Sequence, residues 1–233
     1  MYPPGFAVYI TLGHEVTLGA VLFDLDDTLH DKSATLSRIG EIQHAEAGLA
    51  ALGVDLGGWL HDYIELNNRR IEKTEVFSKL ASTFGLPAGL EAKLREDFDA
   101  NLGKLAVPFA GTHELLAWCK DRGLKVGIVT NGRDAFQRSK ITGMGLSGVI
   151  DAILTSGGFG VKKPGHAIFF ACLEQLGVHP ADAAFVGDDL HADMEPAIAL
   201  GMLPIWKSAT RSERVAFSSH ELPSIHAYLR GVA

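Results

Sequence analysis

Apolar positions along the chain follow two rhythms. Five short runs, Ala20–Asp24, Lys125–Thr130, Ala152–Thr155, Ala183–Gly187 and Met202–Trp206, are each bounded by Gly, Asp, Asn or Ser. Runs that short and that continuously apolar predict strands buried on both faces of a parallel sheet. Between the later runs, Leu115, Leu116 and Cys119 recur at helical spacing, as do Ile168, Phe169, Cys172, Leu173 and Leu176. Strand–helix alternation of this kind implies right-handed βαβ units. The expected fold class is therefore α/β, a Rossmann-like parallel sheet core with helices on both faces.

The stretch from His30 to Leu105 breaks the alternation. Leu36, Ile39, Ile42, Leu49 and Leu52 form one amphipathic stripe; Leu56, Trp59, Leu60, Tyr63 and Leu66 form a second. Val76, Phe77, Leu80, Ala81 and Phe84 form a third, and Leu90, Leu94, Phe98 and Leu102 a fourth at i, i+4 spacing. Gly53, Gly57, Gly58, Gly85 and Pro87 punctuate them. An all-helical module inserted after the first strand is the expected organisation, with residues 1–30 and 106–233 forming the core domain and 31–105 the insertion.

Length and composition narrow the function. At 233 residues the chain exceeds the usual single core of about 100–150, as an inserted module requires. It is 47% hydrophobic and 21% charged, which excludes a disordered tail. No apolar run reaches the ~18–20 residues of a membrane span, so no membrane partner is expected. Twenty-eight acids against 21 bases, a net charge of −7 with no basic cluster, make a poor nucleic-acid binder. No Lys or Arg precedes Lys32, which does not suit a secretory signal. Cys119 and Cys172 sit among apolar neighbours and read as buried free thiols, so a cytoplasmic location is expected. The segment Phe6–Leu12 suits a short extra strand or a start-site extension.

The candidate chemistry lies where strands end. Asp24-Leu25-Asp26-Asp27-Thr28 follows the first strand, and carboxylates that close repel one another unless a cation sits among them. By itself the run reads equally well as a solvated turn capping the next helix. Thr130-Asn131-Gly132 closes the second strand, Lys162-Lys163-Pro164 comes after the third, and Gly187-Asp188-Asp189 with Asp193 closes the fourth. Each alone has an ordinary reading as a turn, a solvated lysine or a helix cap. A parallel sheet gathers strand ends at one crevice, so together they predict convergence. Several carboxylates there call for a hard divalent cation, and oxygen ligands point to Mg²⁺. A threonine and a lysine beside such a metal suit a phosphoryl group.

These motifs, in this order over residues 20 to 206, resemble those of the haloacid dehalogenase-like (HAD) hydrolase superfamily, and the helical insertion resembles its C1 cap. The resemblance implies a phosphatase of the C1-capped branch acting on a small-molecule phosphate ester (a nucleotide, sugar or sugar-acid phosphate). It implies that Asp24 is the nucleophile that becomes an aspartyl-phosphate, and that Asp26 is the general acid and base. Thr130 and Asn131 would hold phosphoryl oxygens, and Lys163 would neutralise nucleophile and phosphoryl group. Asp24, Asp188 and the carbonyl of Asp26 would bind Mg²⁺. Asp193 would orient Lys163 or a metal-bound water, and Asp189 stands between a ligand and a supporting role.

Rival readings are a metal-independent 2-haloacid dehalogenase, a phosphosugar mutase and a non-catalytic binding protein. Retention of Asp26 and Asp188 favours the phosphatase over the first, and Asp27, where mutases typically carry Gly, over the second. The stretch Gly143-Met144-Gly145-Leu146-Ser147-Gly148 spells a dinucleotide fingerprint but follows a helix and leads into a strand, the reverse of the required context. In the insertion, Asn67, Asn68, Arg69 and Arg70 form a polar run whose guanidinium groups could pair with a substrate carboxylate or base, or which could be a solvated helix end. Trp59, Tyr63 and Phe77 could stack on a base, although their spacing suits a core. The expected assembly is a monomer or homodimer.

Overall fold

The computed structural model describes residues 18–69 and 71–233; Phe6–Leu12 and Arg70 lie outside the described residues. Six strands form one parallel sheet in the order β3-β2-β1-β4-β5-β6. They are β1 (Ala20–Phe23), β2 (Lys125–Thr130), β3 (Ala152–Thr155), β4 (Ala183–Gly187), β5 (Leu203–Trp206) and β6 (Phe217–Ser218). The five apolar runs are the first five strands. The sixth has only two residues, too short to leave a hydrophobic period.

The chain divides into two compact units. Of the described residues, one comprises those up to Leu29, Phe109–Asp134 and Leu146–Ala233; the other comprises those of His30–Pro108 and Ala135–Gly145. The sheet unit holds all six strands with α5 (Thr112–Asp121), α7 (Ser156–Phe159), α8 (His166–Leu176), α9 (Glu195–Leu200) and α10 (Leu222–Val232). Alternation along β1 separates its two faces. Ala20 and Leu22 join a buried cluster with Ile168, Phe169 and Cys172 of α8 and with Ala197 of α9. Val21 and Phe23, equally buried, belong to the opposite face, and α5 packs on β2 and on α10.

The helical unit contains α1 (Lys32–Glu46), α2 (Leu56–Asn68), α3 (Lys73–Phe84) and α4 (Leu90–Asn101). Asp31 and Asp55 cap α1 and α2, accepting from Ala34 and Gly58 N–H. The first amphipathic stripe is broken in two: α1 ends at Glu46, and Leu49–Leu52 form a separate 3₁₀ turn after Gly48. Trp59, Tyr63, Phe77 and Phe98 form an aromatic core, with Trp59–Tyr63 centroids 5.4 Å apart and Phe77–Phe98 centroids 5.7 Å apart. Trp59, Tyr63 and Phe77 are at most 1% exposed, so they are committed to packing and are not available to stack on a ligand. Asn67 is buried as well, donating to the Tyr63 carbonyl at 2.9 Å and accepting from Lys73 at 2.5 Å. Asn68 and Arg69 are exposed, and Arg69 pairs with Glu65.

Helix α6 (Asp134–Gly143), which sequence alternation assigns to the sheet, has Ala135 onward grouped with the helical unit. Phe136 packs on that unit's core, and Gly143 lies against the backbone of Gly103. Among the described residues no helix is long and apolar enough to cross a membrane.

Candidate active site

Strand β1 is central, with Phe23 in register with Ile128 of β2 on one side and Val186 of β4 on the other. The sheet order reverses direction here, since the chain runs from β1 out to β3 and returns to β4 beyond β1. Such a switch point opens a crevice at the carboxyl ends of the strands. Asp24 immediately follows β1, with its N–H held by the Val186 carbonyl at 2.9 Å; Thr130 ends β2 and Asp188 follows β4.

Three of these carboxylates meet. Asp24, Asp188 and Asp193 each offer an oxygen, and the three oxygens lie within 4.8 Å of one another. Lys163 stands against two of them: its Nζ is 2.7 Å from Asp24 Oδ1 and 2.6 Å from Asp193 Oδ1, with its side chain 2% exposed. Lys162 beside it is exposed. Burial alone would lower the Lys163 pKa, but the charges of Asp24 and Asp193 and their hydrogen bonds hold it above the ordinary lysine value. It is an ammonium. Asp193 fills both oxygens with N–H donors, Lys163 on one and the Asp189 N–H at 3.1 Å on the other. Its own pKa is raised, first by burial and then by Asp24, with Lys163 and the Asp189 N–H pulling against them.

Among the described residues no cation is paired with Asp188. Burial, then the charges of Asp24, Asp193 and Asp27, push its carboxyl up to about 7. A largely buried group of oxygen donors with more negative charge than Lys163 can balance fits a hard divalent cation, which would relieve the Asp188 repulsion. Close packing sets the cluster's geometry: a Cβ on Gly187 would stand 2.4 Å from Asp193 Oδ2.

The turn after β1 is tied down from several sides. Leu25 accepts at its carbonyl from Thr28 and Leu29, and Thr28 Oγ1 donates to Asp188 Oδ1 at 3.3 Å. Asp26 is half-buried, and Asp27 takes a left-handed conformation at φ 59°. Asn131 grips the Lys163 peptide with both ends of its amide: Oδ1 accepts from the Lys163 N–H at 2.8 Å and Nδ2 donates to its carbonyl at 3.1 Å. Thr130 is 1% exposed. Asp189 is exposed, and its carboxylate accepts from the N–H groups of His191 and Ala192, capping the π-helical turn Leu190–Met194 that carries Asp193. The sequence-predicted residues Asp24, Lys163, Asp188 and Asp193 are thus in one cluster, with Asn131 attached through Lys163; Asp189 faces its own helix.

Sequence reasoning passed over three neighbours of this cluster. Trp206 Nε1 donates to the Asp188 carbonyl at 2.8 Å, Lys207 Nζ donates to the Asp27 carbonyl at 2.9 Å, and Ser156 Oγ accepts from the Gly132 N–H at 3.0 Å. Lys207 and Ser156 directly follow β5 and β3, so the strand-end criterion used for the other motifs was the signal that could have found them.

The haloacid dehalogenase-like hydrolase family profile matches residues 18–201. A glyceraldehyde 3-phosphate phosphatase of Methanothermobacter thermautotrophicus is 30% identical over 84% of this chain and 88% of its own. A phosphoglycolate phosphatase of Yersinia pestis is 30% identical over 78% of this chain and 77% of its own. Among solved structures, a HAD phosphatase from Thermococcus onnurineus superposes with a TM-score of 0.61 at 26% identity, covering 92% of this chain and 99% of that one. The parallel sheet, the acids at its switch point and these likenesses lead to one statement: this chain belongs to the haloacid dehalogenase-like hydrolase family.

Proposed function

We propose that the protein is a Mg²⁺-dependent phosphatase that hydrolyses a small phosphorylated metabolite through an aspartyl-phosphate on Asp24. The observation that carries this reading is the contact of Asp24 with the Lys163 ammonium, beside a second carboxylate, Asp188, with which no cation among the described residues is paired. A nucleophilic carboxylate has to meet an anionic phosphate, so paired positive charge is the first requirement. Asp24, Asp188 and the main-chain carbonyl of Asp26 would hold Mg²⁺, which when bound supplies Lewis-acid stabilisation of charge on the phosphoryl oxygens.

The chain's own groups perform the rest. An Asp24 oxygen attacks phosphorus while the bond to the ester oxygen breaks, and Asp26 gives that oxygen its proton. Asp26 then takes a proton from water as the water attacks phosphorus, the Asp24–phosphorus bond breaks and inorganic phosphate leaves. Division into two displacements is the gain of covalent catalysis, and a placed acid/base contributes ~10²–10⁴-fold. Thr130 holds a phosphoryl oxygen through its hydroxyl and Asn131 through its peptide N–H, since its amide is engaged with Lys163. Asp193 holds Lys163 in place, and Asp189 supports the turn that carries Asp193. The helical unit acts as the cap that selects the alcohol.

A panel of phosphate monoesters, including glyceraldehyde 3-phosphate, phosphoglycolate, sugar phosphates and nucleotides, assayed with Mg²⁺ tests the reading. Phosphate release from at least one, abolished by Asp24→Asn, is the expected result; near-normal Mg²⁺-dependent activity in Asp24→Asn removes the mechanism.

A further inference from the structure

The end of β5 carries a cation that the steps above leave unused. Lys207 follows β5 directly, and its N–H donates to the Gly187 carbonyl at 2.7 Å, which seats it beside the last residue of β4. Its ammonium donates to the Asp27 carbonyl at 2.9 Å and lies 3.5 Å from the centre of the Phe109 ring. Phe109 in turn donates its N–H to the Leu29 carbonyl at 2.9 Å, so these two contacts of the lysine are with the turn after β1 and its immediate neighbour.

Asp27 is the single non-glycine with positive φ among the described residues, at 59°. That region is disfavoured for L-residues because Cβ crowds the following carbonyl oxygen. Its neighbours make the conformation consequential: Asp26 precedes it, and Thr28, which follows it, reaches Asp188. A rotation at Asp27 would re-aim the residues on both sides.

We propose that Lys207 is a positioning residue that holds Asp27 in the left-handed conformation and so sets the direction of Asp26 and Thr28. The kinetic half of this proposal rests on the phosphatase reading; the conformational half does not. The test is Lys207→Met, which keeps the aliphatic stem, made in three backgrounds: unchanged, Asp27→Asn and Asp27→Gly. Asparagine removes the Asp27 charge but keeps Cβ, whereas glycine enters the left-handed region without steric cost. With Asp or Asn at this position, Lys207→Met is expected to lower kcat about tenfold with KM within about twofold, the signature of misplaced reacting groups. The melting temperature is expected to fall by about 2–4 °C. In the Asp27→Gly background both losses should shrink by at least half.

Equal losses in all three backgrounds, no loss in the unchanged one, or a rise in KM with kcat intact would each overturn the proposal. If melting follows the background as expected while the unaltered protein hydrolyses no phosphate ester, the positioning of Asp27 stands and the functional reading falls.

Discussion

A lysine with 2% of its side chain exposed, clasped by two carboxylates, concentrates the electrostatics of the strand-end crevice. Dehydration of the ammonium is offset only because Asp24 and Asp193 approach it within hydrogen-bonding distance. Its position therefore depends on what holds its backbone, and Asn131 holds it at both N–H and carbonyl. Asn131→Ala should leave the fold intact by circular dichroism yet lower kcat by roughly tenfold, because small misplacement of a reacting group is costly. The thiols present the opposite case. Burial pushes Cys119 and Cys172 up to about 12, so both are neutral thiols at every pH well below that. The thiolate is the reactive form. At pH 8 the native protein should not react with a disulfide reagent such as DTNB, and both thiols should react once guanidinium unfolds it.

Helix α6 meets the rest of the helical unit through Phe136 and, backbone to backbone, through Gly143. A Cβ on Gly143 would fall 1.7 Å from the Gly103 carbonyl oxygen, and the obstacle is backbone, which cannot rotate aside. Gly143→Ala should therefore cost about 1–3 kcal/mol or more, read as a lower urea midpoint at unchanged slope. The same glycine opens the GxGxxG string, and the structure starts that string on the last residue of α6 and runs it toward β3, out of a helix and into a strand. The fingerprint reading is excluded by context alone. Strand β5 contributes differently: Trp206 and Lys207 reach from its end to the carbonyls of Asp188 and Asp27, so it steadies the two acidic turns without supplying a carboxylate of its own.

Across the whole chain the acid excess is seven charges, and three acids, the buried Asp24 and Asp193 and the half-buried Asp188, stand together at one place. Their mutual repulsion opposes folding, so a divalent cation that binds them in the native state alone should stabilise it by mass action, by about 2.7 kcal/mol at a hundredfold excess over its Kd. Mg²⁺ should raise the melting temperature measured by scanning calorimetry, and EDTA should reverse the shift and silence turnover. Asp188→Asn should weaken both responses. A melting temperature indifferent to Mg²⁺ would count against the metal site whatever the activity assay showed.

Residues 20 to 206 carry enough local information to read the sheet unit directly: continuous apolar runs mark β1 to β5, and polar residues at their ends mark the rim. The helical stripes were legible for the same reason, since burying one face imposes a period on sequence. That period could not say that Tyr63 of α2 packs on Phe77 of α3, because that outcome depends on a partner in another helix; the break at Gly48, a glycine in the left-handed region, was a local signal that the stripe ran across. The identities of the acids were also local. Their roles in the cluster depend on long-range packing: Asp193 reaches Lys163 across 30 residues, Trp206 reaches Asp188 across 18, and Lys207 reaches Asp27 across 180. Sequence by itself determined that the polar residues after β1, β2 and β4 share one rim, because strand ends in a parallel sheet must gather. Only the tertiary structure decided which of them touch, because hydrogen bonds and ion pairs require contact at about 3 Å, and contact belongs to the fold rather than to the order of residues.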